Sequence, residues 1–149
     1  MGFRLFLEMG KVRLPKLWYH GTNEELWPSI QKMGLRNPYL TDVFEIAHEY
    51  AAATPGSGLP IVVSLEWTNT SSFAVDRASL QEPLGYGGFT GKQMDAKVDR
   101  LSRGRKEIRD DEWELTFPVT RTVRCKTLIP PQAIRGMKRV TWETQEYGR

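Results

Sequence analysis

The residues of this sequence with the clearest capacity for chemistry are a histidine, two tyrosines and two glutamates. They are His20, Tyr39, Tyr50, Glu112 and Glu114. An imidazole donates or accepts hydrogen bonds, an aromatic face offers apolar area to a flat ring, and a carboxylate stabilises developing positive charge. Each such residue alone is more often part of a core or a surface than of a catalytic site. Their interpretation therefore depends on the elements that position them.

The sequence pattern predicts that His20 ends a short strand. The segment Lys16–His20 is rich in aromatic residues, and Gly21 follows it as a residue that lets the backbone approach a ligand closely. Pro28 suits the start of a helix and Gly34 suits its end, so a helix of about two turns is expected between them. The chain thus opens with a strand, a loop and a short helix.

A second helix is expected to carry Tyr50. Asp42 and Glu45 are spaced like a capping box. Apolar residues then recur at helical spacing from 43 to 51, which places Tyr50 on the inward face. After a loop, the β-branched run at 61–67 predicts a central strand.

The segment 113–123 is predicted to be another strong strand. Apolar and polar residues alternate at its start, which would put Glu112 and Glu114 on the same face of a sheet. Pro118 implies a bulge or an edge there. The pattern itself does not choose between the two glutamates. Dense turn-forming residues from 68 to 91 predict long connections there, with a short strand at 73–75. Shorter patterns predict a closing turn at 128–131 and a last strand at 137–142.

Taken in order, these segments resemble the ADP-ribosyltransferase superfamily of the His-Tyr-Glu type. This type includes the poly(ADP-ribose) polymerases, diphtheria-like toxins and small bacterial and phage members, toxins and phage effectors among them. The resemblance is carried by Tyr19–Thr22, Trp27–Ile30, Gly34–Leu35, Tyr39–Asp42, Ala47 with Tyr50–Ala51, Glu112–Glu114 and Ile129–Pro131. It implies an α+β fold in which two packed sheets, antiparallel or mixed, form an NAD+ cleft with a few short helices. One domain over residues 1–149 is expected.

The resemblance implies that NAD+ is the substrate and that its residues bind as follows. His20 would hydrogen-bond a ribose hydroxyl. The backbone of Gly21, beside Thr22, would hold the nicotinamide amide. Tyr39 and Tyr50 would pack on the nicotinamide ring.

The resemblance also implies that a glutamate hydrogen-bonds the nicotinamide-side ribose hydroxyl and stabilises the oxocarbenium-like cation formed as nicotinamide leaves. Glu112 is favoured, because a glutamate followed by an aromatic residue at the start of this strand is the commoner family pattern, and Glu114 stays open. The catalytic group would then be His20, Tyr39 and one of the glutamates. ADP-ribose would pass to a macromolecular acceptor, protein or nucleic acid.

Two other functions fit parts of this pattern. An RNA 2′-phosphotransferase uses the same fold, NAD+ and a similar His-Gly-Thr opening, but tends to carry a second histidine where this chain has Tyr39 and usually has an extra N-terminal domain. A catalytically silent module would keep the fold and only bind a nucleotide or a partner. Release of nicotinamide separates an enzyme from a silent binder.

Composition limits the remaining possibilities. Among 149 residues, 40% are hydrophobic and 26% charged, as in ordinary globular proteins. The single cysteine, Cys125, has no partner for an internal disulfide and no zinc-site spacing, so neither a metal nor a disulfide-linked partner is expected. Residues 1–9 carry no recognisable export or membrane-anchor signal, which predicts a reducing, cytoplasmic location without membrane contact.

The net charge of +3 is concentrated in one stretch. Between Lys97 and Arg109 the sequence carries six basic residues, counting both ends (Lys97, Arg100, Arg103, Arg105, Lys106 and Arg109), against two acidic ones (Asp99 and Glu107). Such a run is usually a solvated face. The functional alternative is an edge that contacts the phosphates of nucleic acid or NAD+.

Overall fold

The structure is a computed structural model that describes residues 14–53, 58–81 and 108–140. Its class is α+β, as expected. The strands are β1 (Trp18–Asn23), β2 (Leu35–Arg36), β3 (Tyr39–Thr41), β4 (Pro60–Leu65), β5 (Phe73–Ala74), β6 (Thr122–Cys125), β7 (Leu128–Ile129) and β8 (Ile134–Arg139). The helices are α1 (Trp27–Met33), α2 (Phe44–Ala53), α3 (Arg77–Gln81) and α4 (Trp113–Thr120). Short 3₁₀ turns occupy Glu24–Leu26, Thr70–Ser72 and Pro131–Ala133.

Six strands form one antiparallel sheet in the order β5-β6-β3-β1-β4-β8, and β2 pairs with β7 in a small second sheet. Strand β1 pairs with β4 along its whole length, from Trp18 opposite Leu65 to Asn23 opposite Pro60. With β3, in contrast, it shares a single register pair, Tyr19 opposite Thr41. The strands β1 and β3 therefore separate beyond this pair, and a wedge opens near the centre of the sheet.

Each face of the large sheet has its own core. Trp18 is fully buried on one face, where its ring centroid lies 5.2 Å from that of Phe73 and 5.5 Å from that of Phe117. The other face is covered by α2, whose Ala47 and Ala51 pack with Val62. The alternation of side chains along β1 thus supports two layers of packing at once.

The glycine at position 21 is required by the packing of α2. A Cβ atom at Gly21 would lie 2.0 Å from the backbone oxygen of Ala47 and 2.7 Å from the backbone nitrogen of Ala51. The expectation that Gly21 ends the strand is wrong, because β1 continues through it and pairs it with Val62. His20 accordingly lies in the middle of β1 and not at its end.

The predicted strand over 113–123 is wrong, because Trp113–Thr120 is a helix and strand β6 begins at Thr122. The buried residues of α4 are Trp113, Thr116, Phe117 and Thr120, which recur at the spacing of one helical face. The alternation at the start of the segment covers too few residues to separate a strand from a helix. Glu112 and Glu114 therefore do not share the face of a strand.

Most other predicted elements are confirmed. Helix α1 contains Pro28 in its first turn and ends at Gly34, whose φ of 84° is left-handed. Helix α2, the central strand β4 and the short strand β5 also form as expected. The basic stretch before residue 108, the loops at 82–91 and the end of the last predicted strand lie outside the described residues. Within the described ranges, every helix is too short or too polar to cross a bilayer.

Gly21→Ala is expected to lower the free energy of unfolding by about 1–3 kcal/mol, because the new methyl group overlaps backbone atoms of α2. The matched control is Gly136→Ala in β8, where the nearest atom to an added Cβ is Ser64 Oγ at 3.7 Å. Urea unfolding followed by circular dichroism measures both changes. Equal stabilities of the two variants would contradict the packing of α2 on β1.

Candidate functional site

The wedge between β1 and β3 contains a cavity of about 200 Å³. Its lining residues come from β1, β3 and α2, and they are Tyr19, His20, Gly21, Thr22, Tyr39 and Tyr50. The structure thus brings together the histidine, glycine, threonine and two tyrosines that the resemblance assigned to NAD+ binding, but neither glutamate lines the cavity. It adds Tyr19, which the sequence analysis gave no role in the site and whose ring also packs on Phe44 at 5.7 Å between centroids.

His20 is held in one protonation state by its surroundings. Its Nδ1 lies 2.8 Å from the backbone oxygen of Tyr39, and because a carbonyl only accepts, Nδ1 carries the proton. Burial lowers the pKa of His20 below 6.5, and this effect outweighs the hydrogen bond to Tyr39, which raises it. The neutral ring then has a lone pair on Nε2, so His20 offers a ligand a hydrogen-bond acceptor.

The two tyrosines form different parts of the cavity wall. Tyr39 is 45% exposed and lies at the rim, whereas Tyr50 projects from α2 and is half-buried. The phenol oxygen of Tyr50 lies 3.3 Å from Asp76 Oδ2 and 2.5 Å from Ser79 Oγ. Burial and then the charge of Asp76 raise the pKa of Tyr50 to about 12, so its hydroxyl stays protonated at neutral pH.

Neither glutamate is among the residues that line the cavity. The side chain of Glu112 is 13% exposed, and its Oε1 accepts a hydrogen bond from the backbone N–H of Arg109 at 2.8 Å. Glu114 is exposed in the first turn of α4. The geometry alone therefore distinguishes the two residues by burial, and their catalytic role stays a prediction.

The segment that precedes α4 nevertheless lies on the same side of the sheet as Tyr39. Asp110 Oδ2 is 3.8 Å from Arg124 Nη2, and Arg124 is the register partner of Tyr39 on the adjacent strand. Directly opposed residues project to the same face of an antiparallel pair.

Asp76 and Ser79 belong to the wall behind Tyr50, and the sequence analysis missed them. The region from 68 to 91 was expected to consist mainly of long connections, yet Asp76 precedes helix α3 and accepts the backbone N–H of Ser79 at 3.1 Å. An aspartate with a hydrogen-bonding partner three residues later is a pattern typical of helix starts. That pattern is the feature of the sequence that indicates a helix start at Asp76 and Ser79.

No group of three or more metal-ligating side chains occurs in the ranges 14–53, 58–81 and 108–140. Cys125 is fully buried, and its sulfur lies 3.4 Å from Ser72 Oγ and 3.5 Å from the backbone oxygen of Thr127. Its surroundings are those of a packed thiol.

Stability is expected to fall on mild acidification because of His20. Its pKa is lowered in the folded protein, so the unfolded chain takes up a proton first as the pH falls below 6.5, which favours unfolding. The free energy of unfolding should therefore fall more between pH 8 and pH 5 in wild type than in His20→Gln. Urea titrations of both proteins at the two pH values measure this difference. Equal losses in wild type and His20→Gln would contradict the neutral state of His20.

Two comparisons with known proteins gave no match to this chain. No protein-family model matches the chain, and no curated protein matches it significantly in sequence.

Proposed function

We propose that this chain is an NAD+-dependent ADP-ribosyltransferase with the corresponding fold, and that the wedge cavity binds the nicotinamide end of NAD+. The observation that best supports the proposal is that the fold brings distant residues together in one cavity. His20, Tyr39 and Tyr50 are far apart in the sequence, yet they line one cavity together with Gly21 and Thr22. These are the positions at which the His-Tyr-Glu resemblance assigns NAD+ contacts.

The chemistry of the lining residues suits that ligand. Neutral His20, with Nδ1 donating to Tyr39, can accept a hydrogen bond from a ribose hydroxyl at Nε2. The rings of Tyr39 and Tyr50 offer flat apolar surface to the nicotinamide ring. Both Gly21 and Thr22 line the cavity, so backbone polar groups are available to the carboxamide.

The size of the cavity supports binding of one end of the dinucleotide. At about 200 Å³ it is smaller than the roughly 300–1,000 Å³ of sites that enclose a drug-sized ligand. Nicotinamide and its ribose would occupy the cavity, and the diphosphate and adenosine would extend beyond it.

In the proposed reaction the bond between the nicotinamide nitrogen and the ribose carbon breaks, and nicotinamide leaves with the bonding electron pair. The ribose carbon gains oxocarbenium-like positive charge, which a carboxylate stabilises. A nucleophile of the acceptor, protein or nucleic acid, then bonds to that carbon and releases its proton. Glu112 is our candidate carboxylate, because it is largely buried whereas Glu114 is exposed.

A catalytically silent nucleotide-binding module is the second candidate. One observation favours it: among the described residues, those that line the cavity include no carboxylate. Such a module would bind NAD+ through the same histidine and tyrosines but would release no nicotinamide.

Wild-type protein is expected to bind NAD+ in calorimetric titrations, and Tyr50→Ala should weaken the binding. Loss of stacking on an aromatic ring corresponds to about 1–3 kcal/mol, roughly a fivefold to 150-fold rise in Kd. Leu128→Ala is the control, because Leu128 is 50% exposed on the small sheet and does not line the cavity. Absence of NAD+ binding at millimolar concentration would overturn the proposal, and equal effects of the two substitutions would show that the cavity is not the site.

Glu112→Gln is expected to lower the rate of nicotinamide release by about 10²-fold or more while nearly preserving NAD+ affinity. The reason is that a carboxylate stabilises the cation mainly in the transition state. Glu114→Gln should cost much less and serves as the matched control. Nicotinamide release and NAD+ binding are measured for both variants. A normal rate in Glu112→Gln with a slow Glu114→Gln would transfer the role to Glu114. NAD+ binding without any release by wild type would establish the silent module instead.

A further inference from the structure

A buried carboxylate lies directly behind the cavity wall. Asp76 is 1% exposed and accepts two hydrogen bonds from Ser79, from the backbone N–H to Oδ1 at 3.1 Å and from the hydroxyl to Oδ2 at 2.9 Å. Its Oδ2 is also 3.3 Å from the phenol oxygen of Tyr50. Tyr50 therefore stands between this carboxylate and the cavity.

The carboxylate of Asp76 has no cationic partner in the part of the chain that the structure describes. The nearest basic residue in sequence, Arg77, directs its guanidinium to Asp110, with Nη2 2.8 Å from Oδ1, and to the backbone oxygen of Ile108 at 2.6 Å. The hydrogen bonds to Asp76 thus come from neutral donors. A buried charge that is not paired keeps a longer-ranged effect than an exposed one, because little water screens it.

The influence of Asp76 already extends to the cavity wall. After burial, its charge is the next cause of the raised pKa of Tyr50. The same negative potential would act on a ligand ring that packs against Tyr50 in the cavity. A positively charged ring would be stabilised there, and a neutral ring of the same shape would not.

We propose that Asp76 is a specificity-determining residue that favours the oxidised, positively charged nicotinamide ring over its neutral reduced form, acting from behind Tyr50. The inference rests on the proposed function, because it takes the cavity to be the nicotinamide site. It adds the residue that would make the site prefer the oxidised ring. Asp76 touches no ligand in this account, so it is a selecting residue and not a catalytic one.

The competing explanation is that Asp76 only caps helix α3. Asparagine caps helices as well as aspartate does and has the same shape, so Asp76→Asn separates the two roles. If Asp76 were only a cap, this substitution would leave the binding of both dinucleotides unchanged, or it would weaken both equally.

The experiment measures the Kd of NAD+ and of NADH for wild type, Asp76→Asn and Ser79→Ala. Isothermal titration calorimetry is done at low temperature to slow the turnover of NAD+. The two dinucleotides share the ADP-ribose portion, so the ratio of their Kd values reports on the ring alone. In Asp76→Asn the preference for NAD+ over NADH should fall by about fivefold to tenfold relative to wild type, as expected for a charge interaction in a partly buried site. Ser79→Ala removes a hydroxyl but keeps the carboxylate, so it should retain the preference.

An unchanged ratio in Asp76→Asn, with NAD+ still bound by wild type, would overturn this inference alone. Failure of wild type to bind either dinucleotide would overturn the proposed function and this inference with it. If Asp76→Asn does not fold by circular dichroism, Asp76→Ser takes its place, because serine is also a good capping residue and is neutral. The ratio in that variant is expected to fall by the same amount.

Discussion

The close packing of helix α2 on strand β1 is the contact on which the rest of the site depends. Because Gly21 has no side chain, the backbone of α2 approaches β1 at Ala47 and Ala51. That approach brings Tyr50, on the same helix, beside His20 and Thr22 on the strand. The early separation of β1 from β3 then leaves room in front of Tyr50, so one packing contact and one interrupted strand pair together create the cavity.

The electrostatics of the cavity follow from the same arrangement. Burial keeps the imidazole of His20 neutral, and burial with the nearby carboxylate of Asp76 keeps the phenol of Tyr50 protonated. The described residues of the wall are thus neutral groups with defined donors and acceptors, and the carboxylate of Asp76 lies one hydrogen bond from Tyr50. A site of this kind orients a flat polar ligand through hydrogen bonds and responds weakly to pH above 6.5.

The sequence predicted much of this arrangement, because local signals were strong where the site residues lie. The aromatic run before Gly21, the proline and glycine that bound α1, and the β-branched run of β4 each specify a local conformation. The register of β1 with β3 was not predictable, since pairing depends on partners distant in the chain. The reason for Gly21 was also missed, because only the folded structure reveals that α2 lies against it.

The segment around the glutamates shows where such prediction fails. Its first residues alternate as in a strand, but the burial of Trp113, Thr116, Phe117 and Thr120 follows a helical period. Pro118 is predicted to mark a bulge or an edge, yet the structure accommodates it close to the end of α4, where Arg121 adopts a left-handed conformation with φ of 59°. Tertiary packing against Phe73, whose ring centroid is 5.1 Å from that of Trp113, fixes the helix.

The central claim is that the wedge between β1 and β3 holds the nicotinamide end of NAD+. A crystal structure of the Glu112→Gln protein with NAD+ tests it most directly, since slow turnover would preserve the dinucleotide. The nicotinamide ring is expected to pack against Tyr50 and Tyr39, with a ribose hydroxyl about 2.6–3.2 Å from Nε2 of His20. A dinucleotide bound elsewhere on the molecule, or with its adenine in the cavity, would contradict it.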